Sequence, residues 1–260
     1  MNSLSSRVAE ATFTGTFVSF EGVDGCGKST QLSYVIAALA EVGLTPVQLR
    51  EPGGTAISEK IRDLLLDPAN KGMAAECELL LYEASRAQLV REVIAPALAE
   101  GQLIICDRFY DSTYAYQCAA RGLSEASVIS ANALGSCGYA PTLTIVLDLD
   151  PERAFARATR EGADRLEAEG VQFQQRVRAG YRRLASLEPD RVRIVSAEGT
   201  PDEVFTRIAT VLCEAVPELR GFDVPAFLAR QHDLEKAMEL VTAAAEQAEA
   251  LQDTGVLPTI

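Results

Sequence analysis

The stretch GVDGCGKST, at residues 22–30, decides the fold of this 260-residue chain. It satisfies G-x-x-x-x-G-K-[ST], a pattern in which backbone amides cradle phosphates, the lysine reaches the transferred phosphate and the hydroxyl is a ligand of Mg²⁺. A chance glycine turn is the simpler reading. However, a β-rich run, TFVSFEG at 16–22, precedes the loop, and a helical stretch follows it. A phosphate-binding loop requires this context, so we predict that the loop binds ATP or GTP.

The residues expected around the ATP phosphates are those of the loop itself: Gly22, Val23, Asp24, Gly25, Cys26, Gly27, Lys28, Ser29 and Thr30. Lys28 is the expected catalytic cation, and Ser29 is an expected ligand of Mg²⁺.

Apolar runs typical of strands alternate with helical patterns outward from the loop. Further strands are predicted at 46–51, 102–107, 143–150 and 192–198, and helices at 28–42, 56–66, 75–99, 124–135, 201–213 and over most of 151–187. This alternation predicts a five-stranded parallel sheet with helices on both faces. Ligands of such folds bind at the carboxyl ends of the strands. The residues to examine are therefore Asp24, Glu51 to Thr55, Asp107 and Arg108, and those from Asp150 onward.

Three segments are expected along the chain. Residues 1–15 are small and polar and predict a flexible lead-in, and 16–213 hold the α/β domain. Residues 214–260, with nine acids against three bases, predict an acidic helical extension. Its apolar positions follow a 4-3-4-3 spacing, which suits packing on the core or, less favoured, on a partner helix.

Composition excludes several classes of protein. The net charge of −13 argues against a nucleic-acid partner, because such proteins normally present a basic face. No run approaches 18 apolar residues, so no membrane span is predicted. The start of the chain has no apolar segment typical of a signal peptide, and the six cysteines form no CxxC pair. We therefore expect reduced thiols and a cytoplasmic location.

Charged residues at predicted strand ends and helices extend the site. Asp107 ends a buried strand, where a carboxylate can hold Mg²⁺ or its water; the simpler role is a helix cap beside a solvated Arg108. Arg62 and Arg86 lie among apolar residues of two predicted helices. Either could be a surface arginine, but a second bound phosphate would need fork-shaped donors opposite the loop.

A glycine- and charge-rich patch at 160–170 interrupts the helical pattern of 151–187. Arg157, Arg160 and Arg165 lie in or beside it. We expect a mobile lid that brings an arginine over ATP and excludes water, although an ordinary solvated helix would show the same composition.

Taken together, these residues resemble the thymidylate kinases, of the bacterial kind, over about 16–212. The resemblance rests on the blocks FEGVDGCGKSTQ (20–31), REPGGT (50–55), CDRFYDSTYAYQ (106–117), ARGL (120–123) and DRLE (164–167), and on Phe173, Arg176, Arg178 and Tyr181. The second and third blocks distinguish this family from other nucleoside monophosphate kinases. The resemblance implies a P-loop nucleoside monophosphate kinase fold with an arginine-bearing lid, Mg²⁺-dependent phosphoryl transfer from ATP to dTMP, and a homodimer.

The resemblance also implies roles for individual residues. Asp24 and Arg108 join Lys28 as catalytic groups, and Asp107 joins Ser29 at the metal. Arg160 of the lid contacts the transferring phosphates, with Arg157 and Arg165 as substitutes. Asp24 is expected at the sugar 3′-hydroxyl of dTMP or in its Mg²⁺ environment. The other residues expected to bind dTMP are Arg62 and Arg108 at the phosphate, Tyr82 stacked on thymine, Arg86 at a thymine carbonyl, Thr113 and Gln117 at the base, Tyr116 at the 2′ position, and Glu51 and Pro52 beside them.

Three departures from the family pattern are visible. Tyr82 replaces the usual phenylalanine, and Thr113 replaces a serine, so the aromatic face and the hydroxyl are both kept. No arginine lies between Gly22 and Lys28, although some members carry one there. The catalytic arginine is therefore expected in the lid.

Two other functions remain open at this stage. The first is a different P-loop small-molecule kinase, acting on another nucleoside monophosphate or on a deoxynucleoside. A deoxynucleoside kinase would not need paired phosphate arginines. The second is a nucleotide-dependent switch that binds without transfer. A GTPase switch would carry an NKxD motif, which this sequence lacks.

Overall fold

Five parallel strands form the centre of the protein. The structure is a computed structural model that describes residues 14–158, 165–166 and 169–253, with side chains for all of these except 155–158, 235, 239–241 and 243–253. The strands are β1 (Thr16–Gly22), β2 (Val47–Arg50), β3 (Leu103–Asp107), β4 (Leu143–Asp148) and β5 (Val192–Ser196). Their order in the sheet is β2-β3-β1-β4-β5, and every pairing is parallel.

The helices connect the strands as the sequence alternation predicts. They are α1 (Lys28–Glu41), α2 (Ala56–Leu66), α3 (Ala75–Leu89), α4 (Ala95–Ala99), α5 (Tyr110–Thr113), α6 (Glu125–Gly135), α7 (Pro151–Ala158), α8 (Val171–Leu187), α9 (Pro201–Ala215) and α10 (Val224–Asp253). The predicted five-stranded α/β fold is confirmed. Among the described helices, none is long and apolar enough to cross a bilayer.

Two helical segments have wider turns than the sequence pattern indicates. Residues Val90–Ile94, inside the predicted helix 75–99, form a π-turn in which Ala95 N–H donates to Val90 O. The turn stands just before Pro96, which has no amide to continue the regular i→i−4 ladder. A second wide segment, Tyr114–Ala120, extends α5, and this helix lies in a stretch whose periodicity alone predicts none.

The core beside β1 and β3 explains why these strands are continuously apolar. Phe17 and Ile104 lie in one fully buried cluster with Leu89, Ile94 and Leu98 of the α3–α4 region. Strands buried on both faces lose the alternating pattern, as in other parallel sheets. This packing fixes the carboxyl ends of β1, β2 and β3 side by side, where the predicted site residues lie.

The chain divides into two compact units, one that ends at Arg220 and one that begins at Gly221. The second unit contains α10, a single 30-residue helix in the predicted extension. Of the predicted lead-in, residues 1–13 lie outside the described part of the chain. The proposed boundaries at 15 and 213 remain predictions.

Candidate active site

A cavity of about 700 Å³ opens at the carboxyl ends of β1, β2 and β3. Most of the predicted site residues meet in its wall: Asp24, Gly25, Gly27, Lys28, Ser29, Thr30, Glu51, Pro52, Arg62, Tyr82, Asp107, Arg108, Thr113, Tyr116 and Gln117. Positions separated by up to 93 residues in sequence therefore share one site, as the parallel topology requires.

The phosphate-binding loop forms one end of the cavity. Gly25 and Gly27 adopt φ of 76° and 95°, backbone conformations that favour glycine, and α1 begins directly after them. Three loop residues are buried and are not part of the cavity wall: Gly22, Val23 and Cys26. The cavity wall here can offer backbone amides and the Lys28 ammonium to a phosphate.

Arg108 lies at the centre of the site in a left-handed backbone conformation, with φ of 70°. Its guanidinium donates to Gly22 O at 3.0 Å, pairs with the Asp24 carboxylate and stacks over the Tyr116 ring at 5.2 Å. A non-glycine residue in this region is strained, and it keeps this conformation only when its surroundings hold it there. The contacts of Arg108 supply that restraint and aim it between the loop and the cavity.

Neighbouring cations stabilise the ionised form of the Asp24 carboxyl although it is buried. Burial raises its pKa, but the Arg108 and Lys28 cations outweigh that effect, and the pKa lies below the usual aspartate value. Tyr116 OH donates to Asp24 Oδ2 at 3.0 Å, and Gln174 Nε2 donates to the same oxygen at 3.2 Å. The loop carboxylate therefore links the phosphate end of the site to α8 and to the Tyr114–Ala120 segment.

A buried carboxylate that sequence reasoning missed supports this arrangement. Glu21, fully buried at the end of β1, accepts hydrogen bonds from Phe109 N at 2.7 Å, Ser112 Oγ at 2.6 Å and Tyr181 OH at 2.7 Å. Burial raises its pKa, and Arg108 opposes that shift. The available signal was an acid in an otherwise apolar strand, TFVSFEG.

The far end of the cavity is lined by an aromatic ring and by groups that can form hydrogen bonds. Tyr82 comes from α3, while Thr113 and Gln117 lie four residues apart on the α5 side. Arg62 of α2 donates to Pro52 O at 2.8 Å and borders the same space. This end can stack on a planar ring and read its edge.

Arg86 is buried beside the base end of the cavity. Its side chain is 1% exposed and is not part of the cavity wall. It pairs with Glu51 at 2.7 Å and with Glu83, and it donates to Thr113 Oγ1 at 3.0 Å. Two buried carboxylates hold the guanidinium behind Thr113, and its expected contact with a base carbonyl remains a prediction. Burial raises the pKa of Glu51 to about 7, against the lowering effect of Arg86.

The expected lid arginines are described only in part. Arg160 and the side chain of Arg157 lie outside the described residues. Arg165 is buried; it donates to Leu65 O at 2.7 Å and pairs with Glu78 at 2.6 Å. In this structure Arg165 is therefore bound to the α2–α3 wall, so we do not assign it to the transferring phosphates.

Two oxygen donors of the cavity wall suit a magnesium ion. Asp107 Oδ1 is buried and has no hydrogen-bond partner, and Ser29, the second residue of α1, carries a hydroxyl. No cluster of three or more acidic, histidine or cysteine ligands occurs among the described residues. Mg²⁺ commonly takes one or two protein oxygens together with phosphates and waters, so this donor set fits it.

The sequence matches a known family. The family profile described as "Thymidylate kinase" matches residues 20–208. The chain belongs to the thymidylate kinase family. The thymidylate kinase of Symbiobacterium thermophilum is 48% identical over 201 residues, 77% of this chain and 94% of that protein. That of Trichlorobacter lovleyi is 43% identical over 210 residues, 77% of this chain and 99% of the relative.

A solved structure shares the fold of this thymidylate kinase family member. The crystal structure of thymidylate kinase from Ehrlichia chaffeensis superposes with a TM-score of 0.64 at 29% identity, and covers 76% of this chain and 98% of that one. The unmatched quarter of this chain accounts for its greater length. The identification as a P-loop nucleoside monophosphate kinase fold is thereby confirmed.

Proposed function

We propose that this protein transfers the γ-phosphoryl group of ATP to dTMP and forms dTDP. The observation that carries the proposal is the single cavity that joins the phosphate-binding loop, Arg108 and the ring-binding end at Tyr82. A kinase for a nucleoside monophosphate must hold two phosphorylated molecules end to end. The family relationship supports thymine as the base.

Catalysis in this site consists mainly of positioning and charge neutralisation. Lys28 lies against the donor phosphates at the N-terminus of α1. Arg108 faces the acceptor phosphate from the opposite side, with Arg62 as the second arm of the clamp. Asp24 keeps Arg108 oriented and is within the loop, so it also faces the acceptor sugar. These groups align the acceptor oxygen with the γ-phosphorus and neutralise the charge that develops during transfer.

The acceptor nucleoside occupies the far end of the cavity. Tyr82 stacks on the base, while Thr113 and Gln117 form hydrogen bonds with its edge. Tyr116, held by Asp24 at 3.0 Å, borders the sugar and disfavours a 2′-hydroxyl. Arg86 acts through Thr113, whose hydroxyl it orients. Glu51 and Pro52 complete the wall beside the phosphate clamp.

Ser29 and Asp107 would hold Mg²⁺ in this reaction. The unpartnered, buried Oδ1 of Asp107 supports that assignment. When bound, the ion supplies positive charge to the phosphate oxygens of ATP. The remaining positive charge comes from a lid arginine, Arg160 or its neighbour Arg157, because the loop itself contains none.

We also infer a cytoplasmic homodimer. Four large apolar side chains are more than half exposed on neighbouring helices, at Ile57 and Leu64 of α2, Leu80 of α3 and Leu134 of α6. Large apolar side chains left exposed on helices that pack against each other are typical of an interface. Light scattering should give twice the mass of the 27.9 kDa chain. Replacement of Leu80 and Leu134 by Glu should give the monomer mass.

An acceptor panel tests the proposed function. Purified protein with ATP and Mg²⁺ is mixed with dTMP, dUMP, dCMP, dGMP or thymidine, and release of ADP is followed. We expect fastest turnover with dTMP. A higher kcat/KM for another monophosphate would establish the competing P-loop kinase. Equal turnover of thymidine would show that the Arg62–Arg108 clamp binds no acceptor phosphate.

A further inference from the structure

Glu78 is a fully buried carboxylate in α3 that lies outside the phosphate machinery. Within the described part of the chain, its hydrogen-bond and ion-pair partners are all N–H donors. Oε1 accepts from Gln117 Nε2 at 2.8 Å and from Arg121 Nε at 3.2 Å, while Oε2 accepts from Arg121 Nη2 at 3.1 Å and pairs with Arg165 Nη1 at 2.6 Å. Burial raises the pKa of Glu78, but these donors outweigh it and the pKa lies below the usual glutamate value.

The charge of Glu78 determines which way the Gln117 amide points. An ionised carboxylate only accepts hydrogen bonds, whereas a glutamine amide has a donor end and an acceptor end. Gln117 must therefore turn its NH₂ group toward Glu78, since the opposite orientation would set two acceptors against each other. The amide oxygen is left for the other side, and Gln117 lines the cavity.

The hydroxyl of Thr113, which also lines the base end of the cavity, is likewise held as a hydrogen-bond acceptor. Arg86 Nη1 donates to its hydroxyl oxygen at 3.0 Å, and the hydroxyl donates its one hydrogen to Glu83 Oε1 at 3.2 Å. The remaining lone pair of Thr113 can only accept. Gln117 and Thr113 can each donate or accept hydrogen bonds. The buried carboxylates of Glu78 and Glu83 take their donor hydrogens, so both side chains act as acceptors at the edge of the cavity.

We propose that Glu78 is a positioning residue for base selection, because it holds the Gln117 amide with its oxygen toward the acceptor base. The Gln117 amide oxygen, as a hydrogen-bond acceptor facing the base, favours a base whose ring nitrogen carries a hydrogen, as in thymine and uracil. It opposes cytosine, whose corresponding nitrogen is an acceptor. The inference rests on the proposed function, since it concerns the base of the acceptor nucleotide.

The variant Glu78→Gln tests this directly. Its amide oxygen should take the position of Oε2, where two guanidinium groups donate, and its NH₂ the position of Oε1, which faces Gln117 and the single, longer donor Arg121 Nε at 3.2 Å. Gln117 would then turn its own oxygen inward and present NH₂ to the cavity. We expect the ratio of kcat/KM for dTMP to that for dCMP to fall about tenfold or more, the effect of one hydrogen bond.

Two comparisons separate this effect from general damage. The ratio of dTMP to dUMP should stay unchanged in Glu78→Gln, because both bases carry the same N–H. Glu169→Gln is the matched control: Glu169 also pairs with Arg121 but has no recorded contact with Gln117, so both ratios should be preserved. In Gln117→Leu the dTMP to dCMP ratio should fall, and adding Glu78→Gln should lower it no further.

The outcomes are distinct. Wild-type protein that fails to phosphorylate dTMP would overturn the proposed function. Wild-type activity on dTMP, with an unchanged dTMP to dCMP ratio in Glu78→Gln, would overturn the role of Glu78. If Glu78→Gln does not fold, Glu78→Asp keeps the negative charge beside the arginines but draws it back from Gln117 by one methylene. The same ratio should then fall by a smaller factor, and an unchanged ratio would again contradict the proposal.

Discussion

The hydroxyl of Tyr181 offers a sharp test of how the site is held together. This hydroxyl donates a hydrogen bond to Glu21 Oε2 at 2.7 Å and accepts one from Arg108 Nη1 at 3.3 Å. It also lies 2.9 Å from Ser112 Oγ. Tyr181→Phe removes one of the few donors that balance the charge of a fully buried carboxylate. The ring remains, so packing is hardly altered.

The structure sets the size of the effect. A hydrogen bond to a charged group contributes about 1.5–3 kcal/mol, so we expect the free energy of unfolding to fall by about 2 kcal/mol. For a domain of this size that corresponds to a decrease in the thermal midpoint of about 4–8 °C. Arg108 also loses a contact that restrains its strained backbone, so kcat/KM for dTMP should fall about tenfold.

Tyr114→Phe is the matched control. Tyr114 OH also donates to a carboxylate at 2.7 Å, that of Glu125, but this carboxylate is 39% exposed and lies outside the cavity wall. We expect a loss below about 1 kcal/mol and unchanged kinetics, because exposed pairs contribute little. Denaturant titration and initial rates measure both variants. If Tyr181→Phe lowered the unfolding free energy and kcat/KM no more than Tyr114→Phe does, the buried hydrogen bonds of Glu21 would not be what holds Arg108 in place.

Three further predictions concern the phosphate end and the wall of the site. Lys28→Ala should lower kcat by a factor of about 10² or more while the circular dichroism spectrum is unchanged, and preserved activity would refute the loop's role. Asp107→Asn should raise the Mg²⁺ concentration for half-maximal rate about tenfold, and an unchanged requirement would remove Asp107 from the metal site. Because the folded pKa of Glu78 lies below its unfolded value, wild type should gain stability over Glu78→Gln above about pH 4.5 and lose it as pH falls further. A difference in unfolding free energy that grows on acidification would contradict that assignment.

The sequence predicted the parts of the fold that depend on local pattern. The strand, loop and helix around GVDGCGKST, and the apolar strand that ends at Asp107, are confirmed because motif and hydrophobicity agree there. The wide turns at Val90–Ile94 and Tyr114–Ala120 were not predicted, since periodicity does not resolve a π-turn from a regular one.

The buried charge network was the part that sequence reasoning could not reach. Glu21 and Glu78 have roles only because residues far away in sequence, Tyr181 and Arg165 among them, meet them in the folded chain. For the same reason the sequence did not show that Arg86 pairs with Glu51 and Glu83. Motif and spacing locate charged residues, but they do not say which charge each one faces.

Transfer of labelled phosphate tests the central claim most directly. Protein, Mg²⁺, dTMP and ATP labelled at the γ-phosphate are incubated, and the products are separated and identified. We predict that the label appears in dTDP, in an amount equal to the ADP formed, and that none appears when Lys28→Ala replaces the wild type. Label recovered only as inorganic phosphate, or ADP formed at the same rate without dTMP, would contradict the account.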